Sequence, residues 1–230
     1  MIRLYAPAKF EVGGEISLPP SEVRYFKVVR RGQGPVVLFN SFGQIAHGVI
    51  EGKTFSISRV ELAPASSLDL RVALALPEST VVFQLVRQLS ELGVKSLHLF
   101  GAERSQKFKA RLSLDFKERL EKIAIESCRQ SGRDRPLEID FTVFSSLESP
   151  PEVNRLLFDE VESANAVHFN AAKSTLVVIG CEGGWTSSER SSFNEWGYHR
   201  VHWPIPTLKV DTAAVAAVGW LLPQIFVQGV

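Results

Sequence analysis

The chain opens on a region where short apolar runs alternate with turn clusters. Val36–Phe39 is an apolar run, residues 40–43 (Asn-Ser-Phe-Gly) form a turn cluster, and a further strand is predicted over residues 44–50. Apolar positions recur along Thr54–Leu62, and a slip near Ser58 predicts a β-bulge. Closely spaced strands with glycine turns are typical of a small barrel, so a β-barrel domain is predicted for residues 1–66.

After a small, proline-containing linker at residues 63–67, the spacing of apolar positions changes. Apolar strands now alternate with segments of helical spacing. Strands are predicted over residues 70–76, 96–100, 137–143, 175–179 and 198–203. Helices are predicted over 77–93, 113–131, 151–161 and 186–197 and from Lys209 onward. This alternation predicts an α/β domain over residues 67–230, with a mostly parallel sheet and helices on both faces.

Composition restricts the classes of ligand and the cellular locations that the sequence predicts. Of its 230 residues 45% are apolar, enough for a sizeable core, and the net charge of +1 gives no global argument for nucleic acid. Cys128 and Cys181 lie outside any C-x-x-C pattern, so neither a disulfide framework nor a metal site is predicted, and a cytoplasmic location is favoured. No signal peptide is predicted, and the interrupted apolar stretch at 212–227 predicts a buried helix and no membrane partner.

Two predicted strand ends in the second region have unusual sequences. Residues 179–185 (Ile-Gly-Cys-Glu-Gly-Gly-Trp) contain three glycines, and residues 203–213 begin with a proline-rich loop. Ligands bind at the carboxyl ends of parallel strands, and glycine lets the backbone approach them closely. An adenine would need the apolar walls and backbone groups that such loops supply. On glycine content alone, ordinary tight turns explain both segments equally well, and neither matches a dinucleotide or phosphate-loop motif.

The order of several short segments is more specific than either loop alone. Residues 179–185 resemble the I-G-P-E-G-G-F loop of the bacterial 16S ribosomal RNA uridine-N3 methyltransferase family, a branch of the SPOUT superfamily. Residues 208–213 (L-K-V-D-T-A) resemble its L-R-T-E-T-A signature. Further similar segments are R-L-Y at 3–5, V-V-R at 28–30, E-L-G-V at 91–94, E-R-S at 103–105 and I-A-I-E-S-C-R-Q-S-G-R at 123–133. The resemblance covers nearly the whole chain in order.

The resemblance implies a fold and a reaction. The fold is an N-terminal PUA-like barrel that helps bind RNA, then a SPOUT domain with a deep trefoil knot, in a homodimer. The reaction is methylation of N3 of a uridine in 16S ribosomal RNA of the small ribosomal subunit, with S-adenosylmethionine as cofactor. By this resemblance the cofactor-binding residues are Leu76, Ile179, Gly180, Glu182, Gly183, Gly184, Trp203, Ile205, Leu208, Thr212 and Ala213.

Catalytic candidates follow from the chemistry of uridine. Its N3 carries a proton at neutral pH, so a base or a polarising cation near the uracil carbonyls would assist transfer. Lys209 and Arg104 are the candidates for that role or for phosphate contacts. Glu182 or Asp211 could accept the proton, but each could equally cap the helix it precedes, and no general base is assigned.

Basic residues cluster locally even though the whole chain is nearly neutral. Such clusters can follow RNA phosphates, although for any single residue a solvated surface role is the simpler interpretation. The RNA-binding candidates are Arg3, Arg24, Lys27, Arg30, Arg104, Lys107, Arg129 and Arg133.

Several positions depart from the family pattern. Pro204 and Pro206 stand where the family has a glycine and an arginine, Cys181 replaces a proline, and Gln88 replaces a lysine. Because proline cannot donate a backbone hydrogen bond, a second hypothesis is a non-enzymatic RNA-binding homologue with a degraded cofactor loop. A third, another nucleotide-binding α/β enzyme, is disfavoured by the ordered segments.

Overall fold

A computed structural model describes residues 1–29, 31, 34–63, 68–77, 79–105, 113–161, 170 and 173–228. The chain forms two compact units, one made of Met1–Ala65 with Ile125–Pro136 and the other of Ser66–Ala124 with Leu137–Val230. The first unit therefore takes a segment from the middle of the chain. Except for Ala63, the predicted linker at residues 63–67 lies outside the described residues, and the division of the chain at residue 66 stays a prediction.

The first unit contains a five-stranded sheet. Its elements are β1 (Ile2–Tyr5), β2 (Glu15–Ser17), α1 (Pro20–Arg24), a π-helical turn (Tyr25–Val29), β3 (Val36–Phe39), β4 (Gln44–Glu51) and β5 (Thr54–Leu62). The strand order is β1-β3-β4-β5-β2, with β1 parallel to β3 and the other pairs antiparallel. This curled sheet surrounds a core that includes the buried side chains of Leu4, Leu38 and Phe55, and it confirms the predicted barrel-like architecture.

The predicted bulge is confirmed between β4 and β5. His47 pairs with Arg59 and Gly48 pairs with Ile57, so Ser58 is the extra residue. A side chain at position 48 could not be accommodated, because its Cβ would lie 1.9 Å from the carbonyl oxygen of Ser56. Gly48 therefore lets the two strands approach at the irregularity.

The second unit contains a six-stranded, wholly parallel sheet. Its strands are β6 (Leu70–Ala75), β7 (Ser96–Phe100), β8 (Glu138–Thr142), β9 (Asn154–Phe158), β10 (Thr175–Ile179) and β11 (His199–Val201), in the order β11-β9-β10-β6-β7-β8. Its helices are α2 (Ser79–Glu91), α3 (Leu114–Ser131), whose part from Ile125 belongs to the first unit, α4 (Ser187–Glu195) and α5 (Val210–Gln228), with a 3-10 turn at Phe144–Leu147. Successive residues of β6 enter two different apolar clusters, Leu74 one and Ala75 the other. The sheet is thus covered on both faces, as the sequence predicted.

The helix signals in the sequence are confirmed. Ser113 Oγ accepts a hydrogen bond from the Phe116 amide at 3.1 Å at the start of α3. Thr186 and Glu189 form a complete capping box at the start of α4. Gly93, Gly132 and Gly197 follow their helices with positive φ angles. No helix in the described ranges is long and apolar enough to cross a membrane.

The predicted helix over residues 151–161 is wrong, because this segment contains strand β9. Leu156, Leu157 and Phe158 are buried between β10 and β11. A short apolar run buried on both sides has no clear period, so spacing alone does not separate a strand from a helix. The strand predicted at 198–203 is also shorter, since β11 ends at Val201.

Candidate functional site

A cavity of about 690 Å³ lies where β9, β10 and β11 end and α5 begins. Ile179 and Gly180 line it from the end of β10, and Leu208 and Ala213 line it from the segment that enters α5. All these residues belong to the second unit. The two strand ends singled out in the sequence therefore meet at one cavity, at the edge of a parallel sheet where ligands bind.

The glycine loop after β10 is built around a buried indole. Trp185 is 1% exposed, and its Nε1 donates to the carbonyl oxygen of Phe158 at 3.1 Å. A Cβ at Gly180 would lie 3.2 Å from the Trp185 ring, and Gly184 has a φ of +62°. These two glycines allow the loop to fold tightly over the tryptophan, so its backbone forms one wall of the cavity.

Arg104 fixes the outer side of this loop. Its Nη1 donates to the carbonyl oxygen of Gly183 at 2.7 Å, and a Cβ at Gly183 would lie 2.9 Å from the Arg104 Cβ. The preceding amide, that of Glu103, donates to the buried capping carboxylate of Glu189 at 2.8 Å. The capping box of α4 thus also anchors the segment that carries Arg104.

Sequence reasoning missed the acidic residues that follow β9. Asp159 and Glu160 both line the cavity. The Asp159 side chain is 1% exposed and accepts two hydrogen bonds from Arg190, at 2.8 and 3.0 Å; the hydrogen bond to Asp159 raises the pKa of Arg190. Glu160 accepts a hydrogen bond of 3.4 Å from Thr207. The sequence does contain a signal for them, an apolar run that ends in two acidic residues. Because this run was predicted to be a helix, its end was not recognised as the carboxyl end of a strand.

The predicted cofactor residues divide into two groups. Those that line the cavity are Ile179, Gly180, Glu182, Gly184, Trp203, Ile205, Leu208 and Ala213. Three others lie elsewhere: Leu76 is 1% exposed in the core, Gly183 packs against Arg104, and Thr212 is exposed at the start of α5.

Of the two catalytic candidates, Lys209 lines the cavity and Arg104 does not. Asp211 also lines it, and its Oδ1 accepts a hydrogen bond from the Thr212 amide at 2.9 Å in the first turn of α5. That bond supports the interpretation of Asp211 as a residue that stabilises the helix start. Lys209 is the only lysine or arginine among the described residues that line the cavity, which otherwise carries four carboxylates and apolar walls. Such a lining suits a ligand that is partly apolar and partly cationic.

The RNA-binding candidates of the first unit differ greatly in exposure. Arg24 and Lys27 are exposed. The Arg129 side chain is only 7% exposed and forms an ion pair with Glu22 at 2.6 Å, while its Nε donates to the carbonyl oxygen of Arg3. Arg3 pairs with Asp134, and burial lowers the pKa of Arg133. Arg30 and Lys107 lie outside the described residues.

Comparisons with known proteins agree on one family. A family model described as an RNA methyltransferase domain matches residues 64–222. The ribosomal RNA small subunit methyltransferase E of Aquifex aeolicus is 36% identical over 141 residues, which are 60% of this chain and 61% of the relative. The matches span less than two thirds of the length of this and the next curated relatives.

Two solved structures share the fold over almost the whole chain. One is the ribosomal RNA small subunit methyltransferase E of Neisseria gonorrhoeae bound to S-adenosylmethionine, with a TM-score of 0.82, 22% identity and coverage of 97% of this chain and 98% of the other. The other is a Legionella pneumophila protein in complex with the same cofactor, with a TM-score of 0.81, 22% identity and 97% coverage of both chains. This likeness confirms the predicted α/β fold class.

Proposed function

Because the chain belongs to the RNA methyltransferase domain family, we propose that it transfers the methyl group of S-adenosylmethionine to N3 of a uridine in 16S ribosomal RNA of the small subunit. The observation that carries this proposal is the cavity at the ends of β9, β10 and β11, which unites the glycine loop and the segment leading into α5. The names of the curated relatives support the choice of small-subunit RNA.

The residues around the cavity fit this cofactor. A volume of about 690 Å³ lies within the usual range for small-molecule sites. The apolar side chains of Ile179 and Leu208 suit an adenine face, while the carboxylates of Glu160 and Asp211 suit an ammonium or sulfonium charge. When bound, S-adenosylmethionine would supply an already activated methyl group. The protein then has mainly to bind, align the uracil and exclude water.

Lys209 is our candidate for the group that acts on the uracil. Among the described residues that line the cavity, it is the only lysine or arginine. Its ammonium group would stabilise negative charge on a uracil carbonyl as N3 loses its proton. Arg104 donates to the Gly183 carbonyl, so we assign it to loop positioning, and its exposed side chain could in addition meet a phosphate. We assign no general base.

RNA binding is proposed for exposed basic residues of the first unit, chiefly Arg24 and Lys27. Arg129 is assigned a structural role, because its guanidinium is already bound to Glu22 and to the Arg3 carbonyl. The sequence adds Arg30 and Lys107 to the RNA-contacting set. We further propose a homodimer working in the cytoplasm, where small ribosomal subunits assemble.

The second candidate function is RNA binding without catalysis. It is favoured by the loop at residues 203–206, which offers few backbone donors. Pro204 and Pro206 have no amide hydrogen, and the Ile205 amide already donates to the Trp203 carbonyl oxygen at 2.8 Å. A cofactor would therefore rely on backbone groups from other segments.

Calorimetric titration of the full chain with S-adenosylmethionine, with and without 16S ribosomal RNA, separates these two functions. Methyl transfer predicts binding in the micromolar range, about −8 kcal/mol. N3-methyluridine should then appear in nucleoside digests of small subunits incubated with enzyme and cofactor. Lys209→Met should lower the rate of transfer much more than cofactor affinity. No binding heat under either condition, with RNA affinity intact, would establish the non-enzymatic function.

A further inference from the structure

The turn between β3 and β4 is held by two amide side chains, one buried (Asn40) and one half-buried (Gln44). Asn40 is fully buried, and its Oδ1 accepts hydrogen bonds from the amides of Phe42 and Gln44 at 3.0 and 2.9 Å. Its Nδ2 donates to the carbonyl oxygen of Ala8 at 2.8 Å and to Gln44 Oε1 at 2.9 Å. Gln44 in turn binds both the amide and the carbonyl group of Phe10. Turn 40–43 and segment 8–10 are therefore fixed to each other.

This network presents an aromatic ring to solvent. Phe42 is 51% exposed, at a turn position where small polar residues are usual. Lys9, which lies between the two fixed residues Ala8 and Phe10, places its ammonium 5.5 Å from the centre of the Phe42 ring. An exposed ring in a rigid turn gains nothing for the core of this unit, but it is already ordered for binding.

A second cationic side chain, that of Arg135, lies against Gly43, the next residue of the turn. Gly43 has a φ of +75°, and a Cβ there would lie 2.0 Å from the Arg135 Nε, so only glycine admits the guanidinium at this place. Arg135 is exposed. The residue before Phe42 in the sequence is Ser41, whose hydroxyl forms a hydrogen bond of 2.9 Å with the Tyr5 hydroxyl. Lys9 thus lies over the ring, and Arg135 lies against the next residue of the turn, Gly43.

We propose that Phe42, with Lys9 and Arg135, forms a binding site for single-stranded RNA in the first unit, where a nucleobase stacks on the ring and the two cations meet its phosphates. Bases stack on exposed aromatic side chains, while lysine and arginine neutralise the adjoining backbone. The site deepens the proposed function, on which it rests for the choice of RNA as ligand. Its residues belong to the first unit, whereas those of the cofactor cavity belong to the second.

The test compares Phe42→Ala with Val12→Ala, since Val12 is 68% exposed in the same unit and lies outside the site. Affinity for a short single-stranded oligouridylate and for protein-free 16S ribosomal RNA is measured by fluorescence anisotropy. Phe42→Ala should weaken both about tenfold, and Val12→Ala neither. Lys9→Met should lower the slope of log K against log salt by about 0.7.

Phe42→Trp supplies an independent readout. All four native tryptophans lie outside the first unit, so the difference in fluorescence between Phe42→Trp and the wild type reports on this turn. It should keep the RNA affinity, and its fluorescence should be quenched when a base stacks on it.

Equal affinities of Phe42→Ala and Val12→Ala, with an unquenched Phe42→Trp, would overturn the site. So would a loss confined to intact small subunits, because the partner would then be a ribosomal protein. Melting temperature and cofactor binding are measured on each variant, so that a failure of this site can be told from a failure of the proposed function. A chain that binds RNA through Phe42 but does not transfer methyl groups would refute only the proposed function.

Discussion

The indole nitrogen of Trp185 donates a hydrogen bond to the backbone carbonyl of Phe158 across 3.1 Å. This bond ties the glycine loop after β10 to the end of β9, so one buried side chain sets the positions of two walls of the cavity. The ring also stacks on Phe100, with the two planes inclined by 7°.

Trp185→Phe should therefore destabilise the chain and loosen the site together. It removes the donor of a buried hydrogen bond, and the loss of one partner of such a bond costs about 1–3 kcal/mol. Urea denaturation should show a free energy of unfolding lower by about 2 kcal/mol, and calorimetry a weaker affinity for S-adenosylmethionine. Wild-type values for both would show that the bond does not position the loop.

Gly180→Ala should weaken cofactor binding, because the added Cβ would lie 3.2 Å from the Trp185 ring and must displace the loop or the indole. Gly219→Ala is the matched control. Among the described residues, nothing lies within 4 Å of the position its Cβ would take, and alanine is favoured over glycine inside a helix by about 1 kcal/mol. Calorimetry should show reduced cofactor affinity for the first variant only, and thermal melts a slight stabilisation of the second. Equal cofactor affinities would argue against a tight glycine loop.

The two cysteines should differ in how they respond to cofactor. Cys181 lines the cavity, whereas Cys128 is fully buried and burial raises the pKa of its thiol to about 11. A thiolate is the species that reacts with iodoacetamide, so Cys128 should stay unlabelled in the folded chain at mildly alkaline pH. Peptide mapping should show slow labelling of Cys181 that S-adenosylmethionine suppresses. Labelling of Cys181 that cofactor leaves unchanged would place the ligand elsewhere.

Arg129→Met and Lys27→Met should have opposite effects. Removing Arg129 leaves the carboxylate of Glu22, which is 7% exposed, without its partner, a change that typically costs about 3–5 kcal/mol. Lys27 is exposed, so its loss should leave the free energy of unfolding unchanged and weaken RNA binding. Denaturation curves and RNA titrations of both variants provide the comparison. An Arg129 variant of normal stability with impaired RNA binding would restore this residue to the RNA-contacting set.

Stability should fall in mild acid because of His98. Burial lowers its pKa below the ordinary 6.5, so the unfolded chain takes up the proton first as the pH falls. The stability that the neutral His98 side chain contributes is complete above pH 6.5. It is lost as the pH falls through the lower pKa that His98 has in the folded state. His98→Gln, which can still reach the Ser96 hydroxyl that His98 Nε2 contacts at 2.9 Å, should flatten this dependence in urea titrations between neutral pH and about pH 5. An unchanged slope would assign the acid sensitivity to another group.

Local signals in the sequence accounted for most elements of the fold. The glycines after helices, the Thr186–Glu189 capping box and the bulge at Ser58 depend on neighbouring residues and were all confirmed. Strand β9 was mistaken for a helix, since its apolar run fits both periods, and this error hid Asp159 and Glu160. The trefoil knot, which the resemblance alone implies, stays a prediction.

Charge pairing was the other property that spacing could not reveal. From its neighbours in the sequence, Arg129 is predicted to be an exposed cation. In the structure it forms an ion pair with Glu22, which lies far away in the sequence. Arg3 is likewise paired with the distant Asp134. Only tertiary structure separates these paired cations from exposed ones such as Lys27.

The order of strands in the parallel sheet also governs how the protein can be made. Strand β10 pairs with β6 through Leu70 and Thr175 and with β9 through Asn154 and Thr175, so β9 and β6 cannot be joined into one sheet until synthesis has passed Ile179. Segments of the first unit end at Pro136 and leave the ribosome earlier. Non-local pairing of this kind is slow to form. Translation therefore gives the first unit time to fold while β6 still lacks its partner β10.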